Sequence, residues 1–145
     1  MNDAVNYLNE ELERHISSFS KKASYNRSVA FYFKLITGAL SFAATLILGI
    51  KIDENPELIK NAAFVCTAAV SFITSIDMYF NHKGLWVKYT DVRNELLSIQ
   101  SELKLLTLLT SSPSDDEIKN IAEKIRISLN KTNQWWSSER QKKSA

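Results

Sequence analysis

The chain has one cysteine, Cys66, among 145 residues, so an intrachain disulfide and any zinc site built on several cysteines are excluded. Its two histidines, His15 and His82, lie in different segments with no carboxylate or thiol cluster at metal spacing around either. His15 reads as a helix-surface residue and His82 as a solvated one. No nucleophile elbow, zinc-helix motif, phosphate loop or dinucleotide fingerprint is present. Sixteen carboxylates are available, but no spacing places two of them in one cleft. No enzyme activity, cofactor or metal is expected. Glycine and proline are also scarce, at 3 and 2, which predicts few turns and long helices in an all-α fold. A net charge of +2 gives no electrostatic case for a nucleic-acid partner. The polar, acidic opening MNDAVNYLNEELERHISS lacks the basic segment and apolar core of a cleaved signal peptide.

What is present is a strong segregation. Residues 28–80 hold nearly all the long apolar runs, and the flanks hold nearly all the charge. The first apolar segment, 29–50, carries one charge, Lys34, followed by 16 uncharged residues. As a helix it extends roughly 33 Å, enough for a bilayer core of about 30 Å. Lys34 sits near its start, where it can snorkel to the headgroups, and Phe31, Tyr32 and Phe33 cluster at the same level. The second segment, 58–80, has an uncharged stretch from Asn61 to Ile76 bounded by Lys60 and Asp77. The connection KIDENPE contains Pro56 and four charges and reads as a tight exposed turn between antiparallel helices. A soluble bundle with two buried helices is the competing reading, since 16 residues fall just under the usual length of a span. Against it, both segments are apolar around the whole circumference. Basic residues also flank the pair (Lys21, Lys22, Arg27 and Lys34 before; Lys83, Lys88 and Arg93 after), while the connection is mainly acidic. That asymmetry places both termini in the cytoplasm.

The flanks read as amphipathic helices. In 1–27, Val5, Leu8, Leu12, Ile16 and Phe19 recur at helical spacing, and no breaker separates this helix from the first apolar segment. In 82–112, Leu85, Tyr89, Val92, Leu96, Ile99, Leu103 and Leu106 alternate steps of four and three, a coiled-coil-like seam for an intrachain bundle, an oligomer or both. Pro113 ends that helix, and Ser114 with Glu117 forms a capping box for another over 115–138. This last helix presents Ile118, Ile121, Ile125, Leu129 and Trp136, and its polar tail is expected to fray. Trp135 and Trp136, ahead of the basic Arg140, Lys142 and Lys143, suit either core packing or a partner or membrane surface.

Each apolar segment carries one line of hydroxyls at four-residue intervals: Thr37, Ser41 and Thr45 in the first, and Thr67, Ser71 and Ser75 in the second. Close helix packing explains such a line. So does a water-facing surface, but one hairpin cannot enclose a pore, so that reading requires a homo-oligomer. Asp77 is either an interfacial end cap or an intramembrane acid. Cys66, mid-segment, reads as a small packing residue.

The exit from the second segment, IDMYFNHKGLWVKYTDVRNELLSIQSEL, combines Asp77, Phe80, Trp86, Tyr89, Arg93, Glu95 and Leu96. This order of parts resembles the SLATT group of small two-transmembrane effectors associated with bacterial nucleotide-signalling and antiviral conflict systems. The resemblance spans most of the chain in architecture and about 20 residues in motif. It implies one domain over 1–145, a two-helix transmembrane hairpin with an amphipathic N-terminal helix and a C-terminal cytoplasmic helical hairpin. It also implies residence in the bacterial inner membrane and a pore-forming or membrane-perturbing role in antiviral defence, triggered by a sensor or nucleotide-signalling partner. A membrane-anchored scaffold that recruits a soluble partner without permeabilising the bilayer is the alternative.

Overall fold

The computed structural model describes residues 2–49, 56–110 and 113–144. Four helices account for nearly all of them: α1 (Asn2–Gly49), α2 (Pro56–Phe80), α3 (His82–Leu109) and α4 (Asp115–Ser144). Among the described residues there is no strand, and only Asn81, Thr110, Pro113 and Ser114 lie outside a helix. The fold is all-α.

Local chemistry sets the helix limits. α1 continues through residues 27–29 without a break, because nothing there opposes helical dihedrals. Pro56 opens α2 at the one turn where its missing N–H costs nothing, with Glu57 beside it at the positive end of the helix dipole. Both residues therefore belong to α2 rather than to the expected loop; the rest of that loop, 51–55, and Ile50 lie outside the described residues.

Asn81 performs two jobs at the α2–α3 junction. It takes a left-handed backbone, φ 50°, which asparagine tolerates better than most residues. Its N–H donates to the Asp77 carbonyl (2.8 Å), closing α2. Its side-chain oxygen accepts the Gly84 N–H (3.1 Å), and its carbonyl accepts the Leu85 N–H, which together open α3. A Cβ at Gly84 would sit 2.5 Å from the Asn81 side-chain nitrogen, so a larger residue there would displace that side chain from its cap.

α3 ends at Leu109, short of the expected 112, which falls outside the described residues. Pro113 disfavours helix in the residue before it. The capping box forms: the Ser114 N–H donates to the Glu117 carboxylate (2.8 Å) and the Glu117 N–H to the Ser114 hydroxyl (3.3 Å). The two hydrogen bonds from Ser114 hold the Glu117 carboxyl below its ordinary range. α4 runs on to Ser144, six residues past the expected end, because GluArgGlnLysLys contains no helix breaker.

The chain forms two compact units, Met1–Ser24 with Trp86–Ala145, and Tyr25–Leu85. In the first, three helical segments share one core. Asn9 meets Gln100 and Phe19 meets Tyr89, so α1 and α3 run antiparallel there; Glu95 meets Lys131 and Glu102 meets Lys124, so α3 and α4 do too. The core consists of Leu8, Leu12 and Phe19 from α1, Val92, Leu96, Ile99 and Leu103 from α3, and Ile121 and Ile125 from α4.

On α4 the buried line continues through Ser128 and Thr132. The Thr132 hydroxyl donates to the Ser128 carbonyl (3.1 Å), but the Ser128 hydroxyl is fully buried and has no partner among the described residues. A buried hydroxyl left unsatisfied costs roughly 1–3 kcal/mol. Ser128→Ala is therefore expected to melt at the same temperature as the parent or a few degrees higher in a circular-dichroism scan. A clear fall in melting temperature would show that this hydroxyl has a partner in solution.

Candidate functional site: the apolar helix pair and its exit

The second unit pairs residues 25–49 of α1 with α2. One end is fixed by polar contacts: the His82 Nδ1 lies 2.8 Å from the side-chain oxygen of Asn26, which is buried. The imidazole stacks on Phe80 (5.6 Å) and meets Phe33 edge-on (5.7 Å). His82 is thus held in a clasp rather than freely solvated. The expectation failed because Asn26 and Phe33, about 50 residues earlier in the chain, supply that environment.

Along the pair, the half-buried and buried positions of α1 include Ala30, Phe33, Thr37, Leu40, Ala44 and Ile47, in steps of three and four. On α2 they include Ile59, Ala63, Cys66, Val70, Ile73 and Asp77. Alanine at 30, 44 and 63 supplies the most buried positions, as close helix approach requires. Cys66 belongs to this seam as a small half-buried residue.

The two hydroxyl lines are placed differently. Thr37 is half-buried at the seam, whereas Ser41 and Thr45 are exposed. Thr67, Ser71 and Ser75 are all exposed. Their hydroxyls are satisfied on their own helix: Thr67 donates to the Ala63 carbonyl (2.9 Å), Ser71 to Thr67 (3.1 Å) and Ser75 to Ser71 (2.9 Å). Thr45 does the same with Ser41 (2.9 Å). Back-bonding of this kind removes the donor but leaves oxygen lone pairs facing outward. Thr74, outside the sequence-derived line, adds a further bond of the same type to Val70.

Asp77 half-closes a hollow of about 390 Å³ lined also by Phe33, Lys34, Thr37, Gly38 and Thr74. One of its carboxylate oxygens is buried without a hydrogen-bond partner among the described residues.

The outward faces of this unit are apolar. Phe31, Tyr32, Phe42, Phe64, Phe72, Met78, Tyr79 and Phe80 are exposed. Two helices are long and apolar enough to cross a membrane, and only 6% of the most apolar window in each is buried within the chain. A core helix of a soluble domain has the opposite ratio.

Beyond the exit, Trp86 is half-buried and Glu95 is exposed, paired with Lys131 at 3.3 Å. Tyr89 lies between Phe19 (5.9 Å) and Trp136 (6.1 Å), with the Lys22 ammonium 5.9 Å from its ring. Burial pushes the Tyr89 phenol up, against a smaller opposing effect of the Trp136 indole. Of the seam residues, Tyr89, Val92, Leu96, Ile99 and Leu103 are buried inside the chain, and Leu85 and Leu106 are half-buried. An assembly of several copies must therefore use other surfaces. Trp136 packs partly into the core, and Trp135 meets it edge-on at 5.4 Å. Among the described residues no group of histidines, cysteines and carboxylates is arranged to hold a metal.

The chain was compared with family models, curated proteins and solved structures, and none matches it.

Proposed function

We propose that the chain is a two-span membrane protein with both termini in the cytoplasm, acting as a pore-forming or membrane-perturbing effector of a bacterial antiviral system. The observation that carries this reading is the apolar surface of two long helices left uncovered by the rest of the chain. Apolar faces of that length need lipid or other copies to cover them. The basic flanks set the orientation. The outward line Thr67, Ser71 and Ser75 is the feature that separates an effector from a plain anchor, because lipid favours Leu or Val at such positions. In a homo-oligomer those oxygens line or gate a leak, and an upstream sensor or nucleotide-signalling partner acts through the cytoplasmic helices, as in the SLATT group that the chain resembles.

The test is membrane potential, read with a voltage-sensitive dye in bacteria expressing the chain with its trigger, or dye leakage from vesicles containing the purified chain. The parent should depolarise cells. The triple variant Thr67→Leu, Ser71→Leu, Ser75→Leu should insert to the same level and reduce the leak at least tenfold. An undiminished leak from correctly assembled triple variant removes the stripe from the pathway. Absence of any leak from the triggered parent leaves the scaffold reading, which the exposed Leu105, Leu108 and Leu109 at the end of α3 favour as a docking point for a soluble partner.

A further inference from the structure

In the unit formed by Met1–Ser24 and Trp86–Ala145, an open groove of about 530 Å³ runs between α1 and α3. Its lining includes Lys21, Arg93 and Lys104, together with Ser17 and Ser20. Among the described residues that line it, Glu13 is the only carboxylate, against three cations. Glu13 also accepts a hydrogen bond from the Asn9 amide (3.3 Å), which in turn accepts one from Gln100 (3.2 Å), another lining residue.

The cations of α4 give the comparison. Lys119, Lys124, Arg126 and Lys131 each have a carboxylate within 4 Å: Asp116, Glu102, Glu123 and Glu95 in turn. Lys21, Arg93 and Lys104, like Arg14, Arg27, Lys34, Lys60, Lys83 and Lys88, have no such partner among the described residues, so what sets Arg93 apart is its half-burial in the groove. For Arg93 this matters most. The residue is half-buried, and a charged guanidinium held partly out of water without an anion is costly. A planar fork of five donors beside an ammonium group and two hydroxyls is a donor set that suits phosphate oxygens.

We propose that this groove binds a phosphate group, with Arg93 as its fork, Lys21 as a flanking charge and Ser17 and Ser20 as hydroxyl donors, while Lys104, eleven residues further along α3, adds positive charge at the far end. The phosphate belongs either to a soluble phosphorylated ligand or to an anionic lipid headgroup; the donor set is the same for both. The site does not depend on whether the chain forms a pore.

The test uses the full-length chain. In uncharged detergent micelles it is titrated with inorganic pyrophosphate by calorimetry. In parallel it is reconstituted into phosphatidylcholine nanodiscs containing a minor fraction of phosphatidic acid, and co-purifying phosphatidic acid is quantified. Arg93→Ala should weaken pyrophosphate binding at least tenfold or abolish phosphatidic acid enrichment, and Arg93→Lys should recover part of either. Lys119→Ala, which removes a charge outside the groove, should change neither. Loss confined to the first arm identifies a soluble ligand; loss confined to the second identifies a headgroup; loss in both shows that the groove accepts either. The proposal is overturned when the parent binds neither probe, when Arg93→Ala binds like the parent, or when Lys119→Ala weakens binding as much as Arg93→Ala.

Discussion

Truncation of Leu96 or Leu103 to alanine should destabilise the helical unit around them by about 2–5 kcal/mol each. Both side chains are fully buried in a core to which all three helical segments of the unit contribute. The unit offers an unusually clean readout. All three tryptophans, Trp86, Trp135 and Trp136, belong to it, and none lies in the apolar helix pair. Indole emission during heating therefore follows this unit alone. A loss of that size should lower its melting temperature by roughly 10 °C or more. Leu108→Ala on the same helix is the control, since Leu108 is 83% exposed and such changes stay within about 0.5 kcal/mol. If Leu96→Ala and Leu103→Ala melt with the Leu108→Ala protein, these leucines do not fill a core and the three-segment packing is wrong.

That core was partly visible in the residues. Tyr89 through Leu103 carry steps of four and three because a helix must return the same side to its neighbours every turn, and the helices themselves follow from the near absence of breakers. The apolar pair was legible for a similar reason: uncharged stretches between basic flanks have few physical uses.

Other features were not legible, because tertiary partners create them. Ser128 and Thr132 extend the line of Ile121 and Ile125 by the same steps, yet their polarity points outward and drew the expectation to Leu129. Only α1 and α3, packed against that face, make it inward. Asn26 and His82 are 56 residues apart, and neither suggests the other until helices bring them together. Asn81 shows a third case. The break between 58–80 and 82–112 was legible in the sequence, but the left-handed backbone and double cap that produce it were not. The hydroxyl lines were visible as periodicity, but their facing was not: four-residue spacing fixes which residues share a side, while the choice of side comes from the alanines of the seam.

The largest expected effect concerns the outward faces of the apolar pair. Phe64 and Phe72 are 73% and 68% exposed on α2. In a water-soluble monomer, arginine at either position would change stability by no more than about 0.5 kcal/mol. In a bilayer, arginine near the middle of a span costs about 2.5–3.5 kcal/mol where phenylalanine gained a few tenths, so the double variant Phe64→Arg, Phe72→Arg should lose roughly 6 kcal/mol of insertion free energy. The parent should remain in the membrane pellet after alkaline carbonate extraction, and the double variant should move to the supernatant or be degraded. Leu108→Arg, at an equally exposed apolar position outside the pair, should leave fractionation unchanged. A water-soluble oligomer that buried Phe64 and Phe72 between copies would also suffer from the arginines, but its parent would already be in the supernatant. Recovery of the parent there would reject the membrane assignment, whatever the variants do, and recovery of the double variant in the pellet would reject the placement of these two faces in lipid. Retention of the parent and release of the variant together leave lipid as the covering of the surface that the chain itself does not bury.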